Sequence, residues 1–386
     1  MKKILALTGI RSEYDLLYPL LTELEADCEF DLGLIVSGAH LSPLHEYSVK
    51  QIEADGFKIV SRIESLIFSN TSSAKVNGIG NMLSHLSAVL ARETPDYLLV
   101  LGDREEVLAG AMAGAYMGVP VAHIAGGDNT CPIDGDVDEE VRHAASKLSH
   151  IHFTMAEAHS QRLLRMGEEA WRVHTVGNGG LDKIRMTPVI SREDLTAIVS
   201  PKINDDFAVM IYHTLSSYSQ EQVKQELNSL FEEAIGQGLT LFVGAPNSDP
   251  GFDWVLNVYK TYESHPQVVF YRNLSRLHFV NLLRHATCLL GNSSLGVLEA
   301  GYMGLPVINV GERQRGRLAD VNVQYVSAER ESVSNALVKI RTDKAYIAKV
   351  KRGSELYGDG YMAKKVLAIL KDLPERKLII AKKMSY

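Results

Sequence analysis

Residues 101–124 read LGDREEVLAGAMAGAYMGVPVAHI, and residues 290–310 read LGNSSLGVLEAGYMGLPVINV. Each stretch contains an apolar strand, a glycine, a polar loop, a helix of small residues, a Tyr-Met-Gly motif and a second strand. Gly102 corresponds to Gly291. Strand–loop–helix–strand units of this kind build parallel sheets, in which the loop that leaves a strand carries the site. Two copies half a chain apart predict two Rossmann-like domains that face each other across a cleft.

The alternation of strands and helices continues along the chain and predicts a doubly wound α/β fold. The first strand is predicted over roughly Lys3–Thr8, followed by the loop GIRSEYD and a helix over about Tyr14–Ala26. A new strand–helix series begins at FAVMIYHT, so the hinge is expected near Gly177–Gly180. The predicted domains are residues 1–178 and 179–386. The tail KDLPERKLIIAKKMSY is interpreted either as a segment docked on the first domain or as a partly ordered end.

The composition is that of an ordinary globular protein and disfavours several classes of function. Charged residues make up 23% and hydrophobic residues 46% of the chain, and the net charge of -7 is unfavourable for a nucleic-acid partner. No apolar run reaches the roughly 18 residues of a membrane helix, and MKKILALTGI is interpreted as a buried strand rather than a signal peptide. Cys28, Cys131 and Cys288 lack metal spacing, which favours reduced thiols and a cytoplasmic location.

The second copy of the repeat carries a candidate phosphate site. Gly291-Asn292-Ser293-Ser294 follows a strand and precedes a helix, so its N–H groups and hydroxyls would lie at the positive end of the helix dipole. Glu299 on that helix is placed to accept hydrogen bonds from ribose hydroxyls. Simple N-capping by one of the two serines is the alternative interpretation.

Two arginine-containing loops are further candidates for phosphate binding. The segment GERQRGR, residues 311–317, follows the closing strand of the repeat, where Arg313 and Arg317 can clamp a phosphate group. A solvated basic loop is the alternative. Arg11 follows the first strand, where it either faces the cleft or lies in a surface turn.

The first copy of the repeat is acidic at the same place. Asp103 and Arg104 come directly after the strand, where a carboxylate can exchange a proton with a substrate. His123 ends the next strand, and Asp138 and Arg142 lie four residues apart on one face of a predicted helix. These residues together predict a catalytic site, although N-capping is the alternative for Asp138.

Two polar residues end strands of the second half. His213 can orient a sugar or transfer a proton, and a hydrogen-bonded core histidine is the alternative. Asn247 can contact a base or a ribose. The sequence contains no HExxH, no Cys/His cluster and no GxGxxG, so it predicts neither a metal ion nor a dinucleotide cofactor.

These segments together resemble the hydrolysing UDP-N-acetylglucosamine 2-epimerases of sialic acid biosynthesis. The resemblance covers nearly the whole chain and rests on TGIRSEYDLLYPLL, VLGDREEV, VAHIAGG, VDEEVRHAASKLSHIHF, the strand ending at His213, GNSSLGVLEAG and GERQRGR, in that order. The related non-hydrolysing enzymes open with a GTRPEAIK-like loop. GIRSEYD lacks that lysine, and the pair Arg142-His143 also fits the hydrolysing branch.

The resemblance implies a fold like that of the GT-B glycosyltransferases, a UDP-sugar substrate held mainly by the second domain, and a homodimer or homotetramer. The implied UDP contacts are Arg11, Arg104, His213, Ser293, Ser294, Glu299 and Arg313, to which Asn247 and Arg317 are added by their positions. The residues implied around the sugar are Glu13, Asp103, His123, Asp138, Arg142 and His213.

One position departs from the family pattern. Many members have an acid after the His-Ile pair, as in HIEGGE, and some have a histidine, whereas this chain has Ala125. Alanine cannot transfer a proton, so Asp128 or Asp138 would serve instead.

The expected reaction converts UDP-GlcNAc and water to ManNAc and UDP, by elimination to a glycal and hydration. Asp103 is the predicted acid/base at C2, with Asp138, paired to Arg142, in a second role. The first alternative is the same chemistry on UDP-2,4-diacetamido-2,4,6-trideoxyglucose for legionaminic-type acids, which Ala125 would suit. A GT-B glycosyltransferase and a non-catalytic UDP-sugar-binding protein are two further candidate functions.

Overall fold

The computed structural model describes residues 1–43, 47–67, 72–130, 137–204, 206–215, 217–247, 251–272 and 274–385. The strands are β1 (Lys2–Thr8), β2 (Phe30–Ser37), β3 (Ile59–Ile63), β4 (Tyr97–Leu101), β5 (Val121–Ile124), β6 (Ile151–Thr154), β7 (Val173–Thr175), β8 (Phe207–Ile211), β9 (Thr240–Gly244), β10 (Val268–Tyr271), β11 (Cys288–Gly291), β12 (Val307–Val310) and β13 (Val323–Val326). The α-helices are α1 (Arg11–Ala26), α2 (Val49–Ala54), α3 (Ser72–Glu93), α4 (Glu105–Met117), α5 (Asp138–Leu148), α6 (Glu157–Arg165), α7 (Gly179–Met186), α8 (Arg192–Ile198), α9 (Gln220–Gly236), α10 (Phe252–Tyr262), α11 (Arg276–His285), α12 (Ser294–Leu298), α13 (Arg330–Thr342), α14 (Lys344–Val350), α15 (Met362–Asp372) and α16 (Arg376–Ile380).

The chain divides into two compact units. The first comprises Met1–Asp128, Val137–Lys183 and Gly358–Tyr386, and the second comprises Asn129–Asp136 and Ile184–Tyr357. The sequence placed the boundary after residue 178. In the structure the chain leaves the first unit within α7 and returns to it for the last two helices.

Each unit is built on a parallel sheet with the doubly wound strand order. The first sheet runs β3-β2-β1-β4-β5-β6-β7, and the second runs β10-β9-β8-β11-β12-β13. The strand order reverses between β1 and β4 in the first sheet and between β8 and β11 in the second, and ligands of open α/β sheets bind at such switch points. The predicted fold class of two Rossmann-like, doubly wound domains is confirmed.

The strands are apolar on both faces because helices cover each sheet on both sides. In β1, Ile4 and Ala6 belong to one buried cluster, and Leu5 and Leu7 belong to the cluster on the opposite face. The second sheet has the same alternation between two clusters. Because the central strands of both sheets are buried, the polar residues that a ligand can reach are expected at the strand ends.

Helix α1 begins earlier than the sequence predicted, at Arg11 rather than at Tyr14. Glu13 in its first turn reaches back and accepts a hydrogen bond of 2.9 Å from the N–H of Gly9, much as in a capping box. Arg11 therefore lies in the helix and not in a loop, with its Nε 3.8 Å from Oδ2 of Asp15 one turn later.

Helix α12 of the second repeat is shorter than predicted. It ends at Leu298, so Glu299 is its C-terminal cap with a φ of -129° and not a residue of the helix. Turns follow, and Gly304 adopts a φ of 64° that a glycine tolerates best. The first repeat, by contrast, forms the full helix α4.

The C-terminal segment is docked on the first unit. The carboxylate of Asp182 accepts hydrogen bonds of 2.9 Å from the N–H groups of Met362 and Ala363, which open α15. Arg172, fully buried, donates a hydrogen bond of 2.6 Å to the carbonyl oxygen of Ile379. The structure therefore supports the interpretation of the tail as a segment docked on the first domain.

Two further features bear on the sequence-based expectations. Among the described residues, no helix combines the length and the apolar composition that crossing a bilayer demands. Cys28 is an exposed free thiol and Cys288 a buried one, whereas Cys131 lies outside the described residues.

Candidate active site

In the first unit, the predicted catalytic residues lie where neighbouring strands end. Arg11 and Glu13 follow β1, Asp103 and Arg104 follow β4, and Ala125 follows β5. The carboxyl ends of parallel strands share one edge of the sheet, and β1 and β4 flank its switch point. The topology therefore brings these residues to the edge at which open α/β sheets bind ligands.

Asp103 is held by Arg142, which α5 supplies. The guanidinium contacts the Asp103 carboxylate through Nη2, and Nη1 donates to Glu139 at 2.5 Å. Arg142 is 1% exposed. Burial alone would lower the pKa of Arg142, but the charges of Asp103 and Asp128 outweigh burial and raise the pKa. The pair is therefore charged, and it fixes the carboxylate at the end of β4.

The second partner of Arg142 differs from the prediction. Glu139, three residues before Arg142, takes the place that was predicted for Asp138, four residues before it. Both spacings bring side chains together on a helix, so the spacing could not distinguish them. Asp138 is the first residue of α5 and is partly exposed.

His123 lies beneath the β4 loop. Its Nε2 is 2.7 Å from the carbonyl oxygen of Gly102, which can only accept, so Nε2 carries the proton. Its Nδ1 lies 3.1 Å from the hydroxyl of Ser146. Burial lowers the pKa of His123 to about 4, and the ring is fully buried. His123 is thus a neutral side chain that supports the loop carrying Asp103.

Two buried carboxyl groups flank the guanidinium of Arg104. Its Nε lies 3.5 Å from Oε2 of Glu106 and 4.0 Å from Oε1 of Glu13. Burial raises the pKa of both carboxyl groups. The pKa of Glu13 rises to about 8, and the negative charge of Glu106 is the second cause of that rise. A Cβ atom at Gly9 or Gly38 would overlap the Glu106 carboxyl group, so two glycines make room for it.

Ala125 adopts a strained backbone conformation at the end of β5. Its φ is 63°, in the left-handed region that costs an L-residue about 1 kcal/mol or more. Such conformations cluster at functional sites. Asp128, one of the two acids proposed to replace the family acid, is 2% exposed, with Oδ1 3.3 Å from Nε2 of His159. Asp128 is therefore buried against the imidazole of His159.

In the second unit, Asn292 joins the two strands at the switch point. Its Oδ1 accepts a hydrogen bond of 2.9 Å from the N–H of His213, and its Nδ2 donates one of 2.8 Å to the carbonyl oxygen of the same residue. The imidazole of His213 is oriented separately, because its Nδ1 accepts a hydrogen bond of 3.1 Å from the N–H of Asn247. Nε2 therefore carries the proton of the neutral ring and can donate it to a ligand.

The two serines of the second repeat lie at the start of α12. Ser293 is the N-cap, with its hydroxyl 3.4 Å from the N–H of Leu295, and Ser294 is the first residue of the helix. The capping interpretation thus describes Ser293 in this structure. Glu299 at the other end of the helix is 7% exposed.

The basic loop, residues 311–317, is attached to the main chain beside these serines. Arg313 Nη1 and Gln314 Nε2 both donate hydrogen bonds of 3.1 Å to the carbonyl oxygen of Asn292. Arg317 is partly buried, whereas Arg315 forms a surface ion pair of 2.8 Å with Glu312. The loop therefore places Arg313 next to the predicted phosphate site.

Several residues of these sites were not predicted from the sequence: Glu106, Glu139, Asn292 as an anchor, and Gln314. For Glu106 a signal existed, because it stands at helical spacing from Ala109 and Ala113, which are buried small residues of α4. An acidic residue on the same helix face as buried small residues is predicted to be buried. Asn292 and Gln314 carried no such local signal, and the spacing of Glu139 from Arg142 did not distinguish it from Asp138.

Comparison with known proteins identifies the family. A family model described as UDP-N-acetylglucosamine 2-epimerase matches residues 22–371. A UDP-N,N'-diacetylbacillosamine 2-epimerase (hydrolyzing) of Legionella pneumophila is 34% identical over 100% of both chains. A UDP-N-acetylglucosamine 2-epimerase of Neisseria meningitidis is 30% identical over 87% of both chains. The crystal structure of a Neisseria meningitidis UDP-GlcNAc 2-epimerase bound to UDP-GlcNAc shares the fold, with a TM-score of 0.80 at 20% identity over 96% of this chain and 100% of that one. The chain therefore belongs to the hydrolysing UDP-N-acetylglucosamine 2-epimerase family.

Proposed function

We propose that this chain converts UDP-N-acetylglucosamine and water to N-acetylmannosamine and UDP. The observation that carries the proposal is the carboxylate of Asp103, held at the end of β4 by the buried guanidinium of Arg142. A fixed carboxylate at this edge can take a proton from the C2 carbon of a sugar. The name of the Neisseria meningitidis relative supports the choice of sugar.

In the first step of the proposed reaction, Asp103 removes the C2 proton while the bond between C1 and the diphosphate oxygen breaks. The C2–H electrons form the C1=C2 double bond of a glycal, and UDP leaves with the electron pair of the broken bond. In the second step, water adds its oxygen to C1 and a proton reaches C2 from the opposite face. Removal and return on opposite faces require two groups, and Asp138 is assigned as the second.

The departing diphosphate is assigned to the strand-end loops of the second unit. The hydroxyls of Ser293 and Ser294, the guanidinium groups of Arg313 and Arg317 and the Nε2–H of His213 can stabilise the charge that develops on it. Further contacts to ribose, base or phosphate are assigned to Glu299, Asn247, Arg11 and Arg104. Glu13 and His123 are assigned to hold Arg104 and the loop of Asp103.

A second candidate substrate is UDP-2,4-diacetamido-2,4,6-trideoxyglucose, whose sugar is diacetylbacillosamine. Two observations favour it. The Legionella pneumophila relative, which aligns over the whole chain, carries that sugar in its name. Ala125 places a methyl group at the end of β5, where many relatives have a carboxylate, and a smaller, uncharged side chain leaves room for a 4-acetamido group.

The test is proton NMR of the purified protein in D2O with each UDP-sugar in turn. We expect UDP and the free 2-epimer with deuterium at C2, because the returned proton comes from solvent. Bound UDP-sugar without turnover would make the protein a binding protein, and sugar transfer to an added acceptor without free 2-epimer would make it a glycosyltransferase. The sugar with the higher kcat/KM identifies the substrate.

A further inference from the structure

A buried carboxyl group of the second unit has no place in the assignments above. Glu226 of α9 is 5% exposed, and its Oε2 accepts a hydrogen bond of 2.7 Å from the hydroxyl of Tyr212. The hydroxyl of Tyr218 is a second hydrogen-bonding partner of the same carboxyl group. Burial raises the pKa of Glu226 to about 7, so its charge changes near neutral pH.

The same carboxyl group supports the start of the basic loop. Tyr218 accepts a hydrogen bond of 3.0 Å from the N–H of Glu312. Gly311 has a φ of 74°, and a Cβ atom there would lie 2.5 Å from Oε1 of Glu226 and 2.7 Å from the Tyr218 hydroxyl. A glycine is therefore required for the loop to rest directly on the pair.

The far side of this loop faces the predicted phosphate site. Arg313 and Gln314, the residues after Glu312, are the two that bind the carbonyl oxygen of Asn292, directly before Ser293. Glu226 is therefore connected to the main chain beside the serines by hydrogen bonds to the N–H of Glu312, by the covalent main chain of the loop, and by the hydrogen bonds of Arg313 and Gln314.

We propose that Glu226 and Tyr218 are positioning residues that hold the loop in the conformation in which Arg313 meets the diphosphate of the nucleotide. The inference rests on the proposed function, because it assumes that the second unit binds UDP. Its physical basis is preorganisation: an arginine already held in place loses less conformational entropy when an anion binds. Neither residue needs to touch the nucleotide.

The charge of Glu226 sets the direction of the hydrogen bonds. An ionised carboxylate only accepts, so the Tyr218 proton points to it and the phenol oxygen keeps its lone pairs for the N–H of Glu312. A protonated carboxyl group adds a donor that competes for that oxygen. The other titratable groups facing Glu226 are Tyr212 and Glu312, and Tyr259 of α10 faces Tyr212. Nucleotide affinity should therefore fall as the pH drops through about 7.

The experiment compares Tyr218→Phe with Tyr212→Phe as a matched control. Each variant removes one phenol from the same carboxyl group, but only Tyr218 reaches the loop. In titration calorimetry above pH 7, Tyr218→Phe should bind UDP about fivefold more weakly than the wild type, because the free energy of one hydrogen bond is lost. The affinity of Tyr212→Phe for UDP should be nearly unchanged. Hydrogen exchange of residues 311–314 should accelerate only in Tyr218→Phe. Thermal melts check that both variants are folded.

The pH arm uses Glu226→Gln and UDP-glucose, a probe whose phosphates do not titrate near neutrality. The wild-type affinity should weaken severalfold from one unit above to one unit below the pKa of about 7, whereas the variant should show a smaller change, because Glu13, whose pKa is about 8, still titrates beside Arg104. Wild-type affinity in Tyr218→Phe, or an equal loss in Tyr212→Phe, would overturn the inference. Failure of the wild-type protein to bind UDP would contradict the proposed function itself. Unchanged hydrogen exchange of residues 311–314 in Tyr218→Phe would exclude the positioning role independently of UDP binding.

Discussion

The side-chain amide of Asn292 hydrogen-bonds the main chain of His213 in the way that a neighbouring β-strand would. It pairs with both the N–H and the carbonyl group of that residue, at 2.9 and 2.8 Å, beyond the point where β8 and β11 stop pairing. One buried amide thereby fixes the separation of the two loops at the switch point. Arg313 donates a hydrogen bond to the carbonyl oxygen of the same asparagine, so the basic loop is held in place relative to Asn292.

Replacement of Asn292 by alanine should destabilise the second unit. The change removes the Asn292 partner of two partly buried main-chain groups of His213, which costs about 2–4 kcal/mol at 1–2 kcal/mol for each group. Urea unfolding followed by fluorescence measures the shift. Ser293→Ala is the matched control, because it removes only a weak cap of 3.4 Å and should cost less than about 1 kcal/mol. Equal shifts in both variants would show that the amide is not an anchor.

Replacement of Asp103 by asparagine should abolish most turnover and leave the fold intact. The amide keeps the shape of the side chain but cannot take a proton from carbon, and a loss of about 100-fold or more in kcat is expected. The control is Glu140→Gln, which removes an exposed charge of α5. Normal kcat in Asp103→Asn, measured as UDP released, would exclude Asp103 as the acid/base.

The acids beside Arg104 predict a pH dependence of stability. The pKa of Glu13 is raised from 4.5 to about 8, so the folded protein favours its neutral form. The contribution of Glu13 is therefore fully present below about pH 4.5 and is lost as the pH rises through about 8. Between these values the unfolding free energy of the wild type should fall relative to that of Glu13→Gln.

The comparison of these two proteins cancels the effect of the neutral His123, which has the opposite sign and is common to both, and it reports Glu13 together with its interaction with Glu106. Glu140→Gln, which removes an exposed acid of α5, provides the control and should keep the wild-type dependence. A constant difference between wild type and Glu13→Gln across this range would contradict the assignment.

Ala125→Gly should stabilise the protein by up to about 1 kcal/mol, because glycine adopts a φ of 63° without steric cost. Thr94→Gly is matched to it, since Thr94 has a φ of 44° on an exposed loop. If Ala125 lines the sugar site, only its variant should change the ratio of kcat/KM between the two candidate UDP-sugars. The same ratio in both variants would remove Ala125 from the specificity determinants.

The sequence was sufficient to predict the fold class and the strand ends. The repeated strand–loop–helix–strand unit has one common parallel arrangement, and the positions of Asp103, His123 and His213 follow directly from where its strands stop. A carboxylate and a histidine at that edge suggest proton transfer, which stays a prediction for Asp103 and His213, whereas His123 is buried and supports the β4 loop.

The remaining features depend on which side chains meet across the fold. The role of Asn292 depends on β8 and β11 being neighbours in the sheet. The local sequence around Asn292 does not predict this pairing. The choice of Glu139 over Asp138 depends on the direction in which Arg142 points toward Asp103. The backbone conformation of Ala125 is likewise set by the loop that follows β5 and not by its own preference.

The return of the last helices to the first unit also determines an order of events during synthesis. Met362, Val366 and Leu370 of α15 share a buried cluster with Leu17 and Leu20 of α1. On the ribosome, the second unit is almost continuous in sequence and can fold as it emerges, whereas the apolar face of α1 waits for α15, which is synthesised after the second unit. At about 5–20 residues per second, synthesis of residues 27–361 between the two helices takes roughly 17–67 seconds. The half of the molecule that is translated first is thus the half that finishes folding last.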